Sequence, residues 1–216
     1  MLIDLIIPTL WKHDSFYKNY LDEYISYTEI NNIIIIDNDI TNRPNIDLLE
    51  DNKIKLLNYG SNIYVGPAWN KGVEFSATEI VCLLNDDIFV TRDVFTFVSK
   101  LDFKDIDIIG NNHWANNDEI DLVKLNHNKA IPLGEQCYGF GSCMFVKKDK
   151  YTTIPNNFQL LFTDDFLVHN CNNVYTLNTN KITGLMSTSL NALSKDEALL
   201  KRMSDDIMNG RDLLLR

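Results

Sequence analysis

The residues best suited to chemistry are carboxylates at the abrupt ends of apolar runs. Leu83-Leu84-Asn85-Asp86-Asp87-Ile88 is an apolar strand pattern that stops at adjacent acids, which sets both carboxylates on a sheet rim, open to solvent or a cation. Oxygen ligands of this kind suit hard divalent ions. Magnesium or manganese there would take one or two protein carboxylates and complete its shell with phosphate oxygens, which fits a pyrophosphate leaving group. The same residues also read as an ordinary polar turn, because Asn-Asp and Asp-Asp are common turn pairs. A second pair, Asp164-Asp165, follows Phe162-Thr163 at the head of a helix-like run to Cys171, where the helix dipole favours acids whether or not they react. A third segment, Asn62 to Gly72, is a turn feeding a helix with Pro67 in its first turn. Its small Gly66 and Ala68 would let backbone approach a ligand, although a plain helix start explains them equally. The segment is neither a dinucleotide fingerprint nor a phosphate loop, since GxGxxG and Gly-Lys-Ser/Thr are absent.

Positioning these groups requires a sheet. Leu2 to Ile7, Ile33 to Asp37, Ile54 to Asn58 and Ile80 to Leu84 read as buried strands. Phe16 to Tyr27 and Pro67 to Ala77 carry apolar residues at helical spacing. Alternation of this kind predicts a mostly parallel sheet covered on both faces, with ligands at the carboxyl ends of the strands. That rule selects Pro8-Thr9, Asp37-Asn38, Asn58 to Gly66 and Asn85-Asp86-Asp87. The second half is less regular: an Asn-rich stretch from Asn111 to Asn117, a strand-like run from Ser142 to Lys147, and the helix-like run from Thr163. Ser194 reads as the cap of a C-terminal helix carrying Ala198, Leu199, Met203, Ile207 and Met208 at helical spacing.

The chain has 216 residues, 45% hydrophobic and 23% charged, which fits one α/β domain better than two small ones. We expect a single domain over 1–216, with a nucleotide-binding half to about 90, an acceptor-binding half over about 91–190, and the C-terminal helix over about 194–216. A net charge of -10 and a pI near 4.8 disfavour nucleic acid and anionic lipid as partners. With no long apolar run and no signal-like N-terminus, the expected location is cytoplasmic. Cys82, Cys137, Cys143 and Cys171 show no CxxC spacing and read as packed thiols. The four histidines lack metal-ligand spacing. Trp69 and Trp114 could stack on a sugar, but core packing or helix contact is the expected use of either.

Taken together, Ile6-Ile7-Pro8-Thr9, Ile36-Asp37-Asn38, Asn62 to Gly72, Leu84-Asn85-Asp86-Asp87 and Phe162-Thr163-Asp164-Asp165 resemble, in order and rough spacing, the large inverting GT-A glycosyltransferase family that includes bacterial rhamnosyltransferases and chitin and hyaluronan synthases. The resemblance covers about residues 2 to 170. It implies a GT-A fold, a three-layer α/β/α arrangement with a mostly parallel central sheet, and transfer of a sugar from a nucleotide diphosphate donor to an acceptor hydroxyl. By position it implies that Pro8, Thr9 and Asp37 line a base pocket and that Asn62, Ala68 and Asn70 shape the donor side. It also implies that Asn85 and Asp86 lie near ribose or sugar, and that Asp87 touches a divalent metal. Asp164-Asp165 matches the pair that supplies the catalytic base, with Asp165 in the favoured second position. Gly139 to Val146 resembles the segment under the acceptor, where glycine permits close approach.

Two departures bear on the metal. Asn85 replaces the first acid of the D-x-D pattern, and Thr183-Gly184-Leu185-Met186-Ser187-Thr188 carries no histidine where many relatives have one. These departures motivate a rival expectation, a catalytically silent nucleotide-sugar-binding module. A sugar-phosphate nucleotidyltransferase would need a Gly-rich basic loop after the first strand, which Pro8-Thr9-Leu10-Trp11-Lys12 does not provide. The expected acceptor is a glycan or another hydroxyl compound. The free use of Ile, Asn, Lys and Asp is consistent with an AT-rich viral or bacterial genome and keeps a modified DNA base open as an alternative.

Overall fold

Four stretches rich in apolar residues fold as the parallel half of one sheet: β1 (Ile3–Thr9), β2 (Ile30–Asp37), β3 (Ile54–Asn58) and β4 (Ile80–Leu84). The computed structural model describes residues 1–184 and 197–214. After β4 come a short strand β5 (Ile88–Val90), then β6 (Ile108–Asn111), β7 (Asp121–Lys124), β8 (Cys143–Lys147), β9 (Val174–Asn178) and β10 (Ile182–Gly184). The main sheet has eight strands in the order β3-β2-β1-β4-β8-β6-β9-β7, while β5 and β10 form a separate antiparallel pair. Strands β3, β2, β1 and β4 run parallel, β8 is antiparallel to both β4 and β6, and β9 is parallel to β6. The sheet is therefore mostly parallel, as expected, and reversal at β8 brings the loop before it to the same rim as the end of β4.

Helices cover the sheet: α1 (Leu21–Ser26), preceded by a π-helical turn at Phe16–Tyr20, then α2 (Val65–Phe75), α3 (Arg92–Val98), α4 (Leu133–Gln136), α5 (Thr163–His169) and α6 (Glu197–Leu214). Successive strand residues face opposite sides, so each apolar strand feeds two cores. Ile3, Leu5, Ile7, Ile33, Ile35, Cys82 and Leu84 join Tyr24, Phe95 and Val98 on one face. Ile6, Ile34, Ile36, Val81 and Leu83 join Trp69, Val73, Leu167 and Val168 on the other. Burying a side chain of this size contributes about 1.5–3 kcal/mol relative to leaving it in water, so the period-two division of these strands anchors both helical layers at once. All four cysteines are free and buried.

The expected helix from Phe16 is there, with a widened first turn, and the one drawn from Pro67 starts at Val65. Ser194 and the stretch 185–188 lie outside the described residues. No described helix is long and apolar enough to cross a membrane.

Candidate active site

The carboxyl rim of the parallel strands collects the polar residues. Thr9 ends β1, and its hydroxyl donates to Asp86 Oδ2 at 2.6 Å while accepting the Trp11 amide at 2.8 Å. Asp37 ends β2 and is buried. Its Oδ1 accepts from Trp11 Nε1 at 2.8 Å and from the Asp39 amide at 3.1 Å, and its Oδ2 takes Arg43 through both Nε (2.7 Å) and Nη2. Asn38 Oδ1 accepts the Ile63 amide at 3.1 Å, tying the turn before α2 to this rim. Asp86 and Asp87 are half-buried. Burial lifts the Asp86 carboxyl above its usual range and the neighbouring Asp87 charge adds to this, against the Thr9 hydrogen bond and the charge of His13.

The turn that presents these acids is held on two sides. Asn85 donates its amide to the Ser142 carbonyl at 3.1 Å. Immediately downstream, buried Tyr24 accepts the Val90 amide at 3.1 Å and donates to the Ile88 carbonyl at 3.2 Å, while β10 pairs Gly184 with Ile88. The departure noted at Thr183-Gly184 thus falls beside the acid turn.

Asp164 and Asp165 open α5, and the loop before β8 joins them to the same rim. Leu84 pairs with Cys143, Ser142 meets Asn85, and a Cβ on Gly141 would collide with the Asp164 carboxylate; only glycine lets loop and acid approach this closely. Burial raises the Asp164 carboxyl, against hydrogen bonds from its own amide and those of Asp165 and Gly141. Asp165 is 5% exposed. Its Oδ1 accepts the Leu133 amide at 2.7 Å and its carbonyl meets His169 Nδ1 at 2.8 Å. Burial first, then the Asp164 charge, lifts its carboxyl to about 7, against the Leu133 hydrogen bond.

Strain gathers at this rim. The three non-glycine residues with positive φ in the described chain are Trp11 (59°), Tyr64 (64°) and Phe162 (58°). They follow β1, precede α2 and precede α5. Such conformations cost on the order of 1–3 kcal/mol each and persist where surrounding structure enforces them. For Tyr64 and Phe162 that structure includes α6: Arg202 stacks its guanidinium 4.3 Å from the Tyr64 ring centroid, and Gly210 leaves room for the Phe162 ring. Asp206, buried on the same helix, accepts the amides of Gln159 (3.2 Å), Leu160 (2.7 Å) and Leu161 (2.8 Å).

Other residues singled out in the sequence sit elsewhere. Pro8 lies within β1, paired with Ile36. Asn62 Oδ1 accepts the Tyr64 amide at 2.8 Å, bracing the strained start of α2. Ala68 is wholly buried, and Asn70 is spent on Ile154 (2.8 Å to its carbonyl, 2.9 Å from its amide) and on Tyr151 Oη at 2.7 Å. A concavity of about 640 Å³ along α2, lined by Tyr59, Asn70, Lys71, Lys148 and Tyr151, holds none of the rim acids. Arg43 and Asp206 were not singled out, since only the folded chain brings them to Asp37 and to the loop before α5. Trp69 is core at 2% exposure, whereas Trp114 is 63% exposed, against the expected packing role.

A metal finds no ready-made cage: among the described residues no group of three or more His, Cys, Asp or Glu could hold one. What the rim offers is a half-buried acid pair whose mutual repulsion a cation would relieve. That set fits a magnesium-like ion only when phosphate oxygens complete its shell.

No protein-family model matches the sequence, and a comparison with curated proteins finds no match. Among solved structures, residues 1–349 of Staphylococcus aureus TarS superpose with a TM-score of 0.58 at 13% identity, over 95% of this chain and 69% of that one. The same TarS piece in complex with UDP gives 0.57 at 12%, and in complex with UDP-GlcNAc 0.56 at 13%, each over 95% of this chain and 70% of the other. The longer TarS chain is 42% covered. Strand order, the reversal at β8 and this likeness agree on a single architecture, and the chain has the mixed α/β, mostly parallel GT-A fold.

Proposed function

We propose that the chain is a glycosyltransferase that moves a sugar from a nucleotide diphosphate donor to an acceptor hydroxyl with inversion at the anomeric carbon. The observation that supports this reading is that one loop meets both acid-bearing segments, which lie far apart in sequence: Ser142 touches Asn85, two residues before Asp87, and Gly141 touches Asp164. TarS, which shares the fold, is found with UDP and UDP-GlcNAc, and a uridine donor is the first to try here.

In this mechanism the rim of β1, β2 and β4 holds the nucleotide, with Thr9 fixing Asp86 and the Arg43–Asp37 pair facing the base and ribose. Asp87 would hold a divalent cation together with the diphosphate, and the cation would stabilise the charge of the leaving group. Asp165, oriented through the Leu133 amide, accepts the proton of the acceptor hydroxyl as its oxygen attacks the anomeric carbon from the face opposite the diphosphate. A carboxyl lifted to about 7 is a far better base near neutrality than an ordinary aspartate. The departing nucleoside diphosphate is the product to assay.

The test is release of nucleoside diphosphate from UDP-sugars and GDP-sugars with manganese, followed by NMR assignment of the product anomer. Asp87→Ala and Asp165→Asn should each lose at least about a hundredfold in kcat, the scale of a lost acid-base group. Normal turnover in both variants would sink the assignment. Donor binding without nucleoside diphosphate release from any acceptor would favour the silent binding module, the reading that the Asn85 replacement and the missing histidine motivate.

A further inference from the structure

We infer that Trp114 and Tyr138 form an acceptor subsite that takes the apolar face of a neutral sugar ring, so that the acceptor of the proposed transfer is a glycan. This rests on the transferase reading above and adds the class of acceptor.

Trp114 stands on the loop leaving β6, and Tyr138 on the loop leading to β8. Their rings stack with centroids 6.0 Å apart and planes at 21°. Both are exposed, Trp114 at 63% and Tyr138 at 38%. Core packing does not explain a tryptophan this open, and a flat pair of exposed rings next to a chemical site marks a binding surface. The pair is also built in place. The His113 amide donates to the Tyr138 carbonyl at 2.9 Å, the Trp114 amide to Asn112 Oδ1 at 3.2 Å, and Asn112 is fastened to β9 through the Leu177 carbonyl (3.2 Å) and Asn178 Oδ1 (2.8 Å). The backbone that carries the two rings is thus tied loop to loop and to β9 before anything binds, which lowers the ordering cost of association.

Position assigns the occupant. Tyr138 is three residues from Gly141, the residue in contact with Asp164, so its Cα lies within roughly 11 Å of that contact even if the chain is fully extended. The platform therefore stands on the same short stretch of chain that meets Asp164. Charge selects among flat ligands. The same loop exposes Asn116, Asn117, Asp118 and Glu119, amides and carboxylates that hydrogen-bond sugar hydroxyls, and the chain as a whole carries -10. A nucleobase would stack equally well, but its phosphodiester backbone would be repelled.

Trp11 and Trp69 are buried at 3% and 2%, so Trp114 dominates the solvent-sensitive fluorescence of the whole protein. Titrating the full chain with maltotetraose, chitotetraose and mannotetraose, and separately with a short oligothymidylate, should shift that emission with at least one of the sugars. The shift should vanish in Trp114→Ala, and in transfer assays with that sugar Trp114→Ala and Tyr138→Ala should raise acceptor KM roughly tenfold or more with a smaller change in kcat. Retained thermal stabilisation by the nucleotide sugar checks that each variant is folded and still takes donor. Three results overturn the platform: no response to any of the sugars, a response to oligothymidylate alone, or unchanged acceptor KM in both variants. Should the wild type neither bind nor turn over any nucleotide sugar while the Trp114-dependent sugar response persists, the transferase reading falls and the platform stands.

Discussion

Asp164 and Asp165 adjoin in sequence yet meet different surroundings, because consecutive residues in the first turn of a helix point about 100° apart. Asp164 lies against Gly141 of the loop before β8, whereas Asp165 turns toward the amide of Leu133 and is nearly closed off from water. Their charges still interact, and Asp164 is the second cause, after burial, of the lift of Asp165 to about 7. This separates two roles by experiment. A base must be deprotonated, so transfer in the wild type should fall as the pH drops below about 7. Asp164→Asn removes the charge that helps hold Asp165 protonated, so the acid limb of the kcat profile should move to lower pH, with activity at pH 6 rising relative to activity at pH 8. Asp165→Asn should remove the limb together with the activity. Loss of activity in Asp164→Asn, with a normal profile in Asp165→Asn, would exchange the two assignments.

At the scale of elements, the site depends on a helix that supplies none of its acids. α6 reaches the strained residue before α2 through Arg202, the strained residue before α5 through Gly210, and the backbone between them through Asp206. Three amides converging on one buried carboxylate leave three part-buried donors without that partner if it is removed, and each costs about 1 kcal/mol, the low end for a lost partner. We therefore expect Asp206→Ala to destabilise the protein by about 3 kcal/mol in urea unfolding and to lower kcat more than it raises donor KM. Asp206→Asn, which keeps an acceptor, should recover part of both. Gly210→Ala drives a methyl into the Phe162 ring and should lower kcat in the same way. Unaltered kcat in Asp206→Ala would show that α6 only covers the core.

The elements legible in the sequence were those that carry their own signal. β1, β2 and β4 contain runs of buried apolar residues because both faces are covered there, β3 at the sheet edge is shorter and only partly buried, and α2 and α5 repeat apolar residues at helical spacing. β5 and β10 have three residues each and exist through pairing with one another, while β7 is mostly exposed and carries no apolar run. Only tertiary context makes them strands. The acid-bearing rim followed from where strands stop, but the Asp37–Arg43 pair and the exposure of Trp114 depend on loops whose paths no local pattern dictates.

Across the whole molecule, the two ends of the sheet hold their carboxylates on opposite terms. At the amino end, buried Asp4 accepts from Asn31, Ser76 (2.8 Å), the Ala77 amide (2.7 Å) and Asn32; burial raises its carboxyl, but these bonds together bring it below its usual value. Its contribution to stability is present at neutral pH and is lost as the pH falls through its lowered folded value. At the carboxyl end, Asp165 is raised to about 7, so the folded state binds its proton more tightly than the unfolded chain does. Folding is accordingly opposed by this group increasingly as pH rises from about 4, with the full cost reached above about 7. Asp165→Asn retains an oxygen to accept the Leu133 amide but never ionises. Its melting temperature should exceed that of the wild type by several degrees at pH 8, on the order of 2 kcal/mol, and the gap should narrow through pH 5 and close by about pH 4. Asp4→Asn should show the opposite sign, melting lower than the wild type at pH 8. A variant that gains stability as it loses transfer is the expected mark of an acid kept buried for reaction and not for folding. A pH-independent gap between Asp165→Asn and the wild type would mean that Asp165 ionises as freely in the folded chain as in the unfolded one.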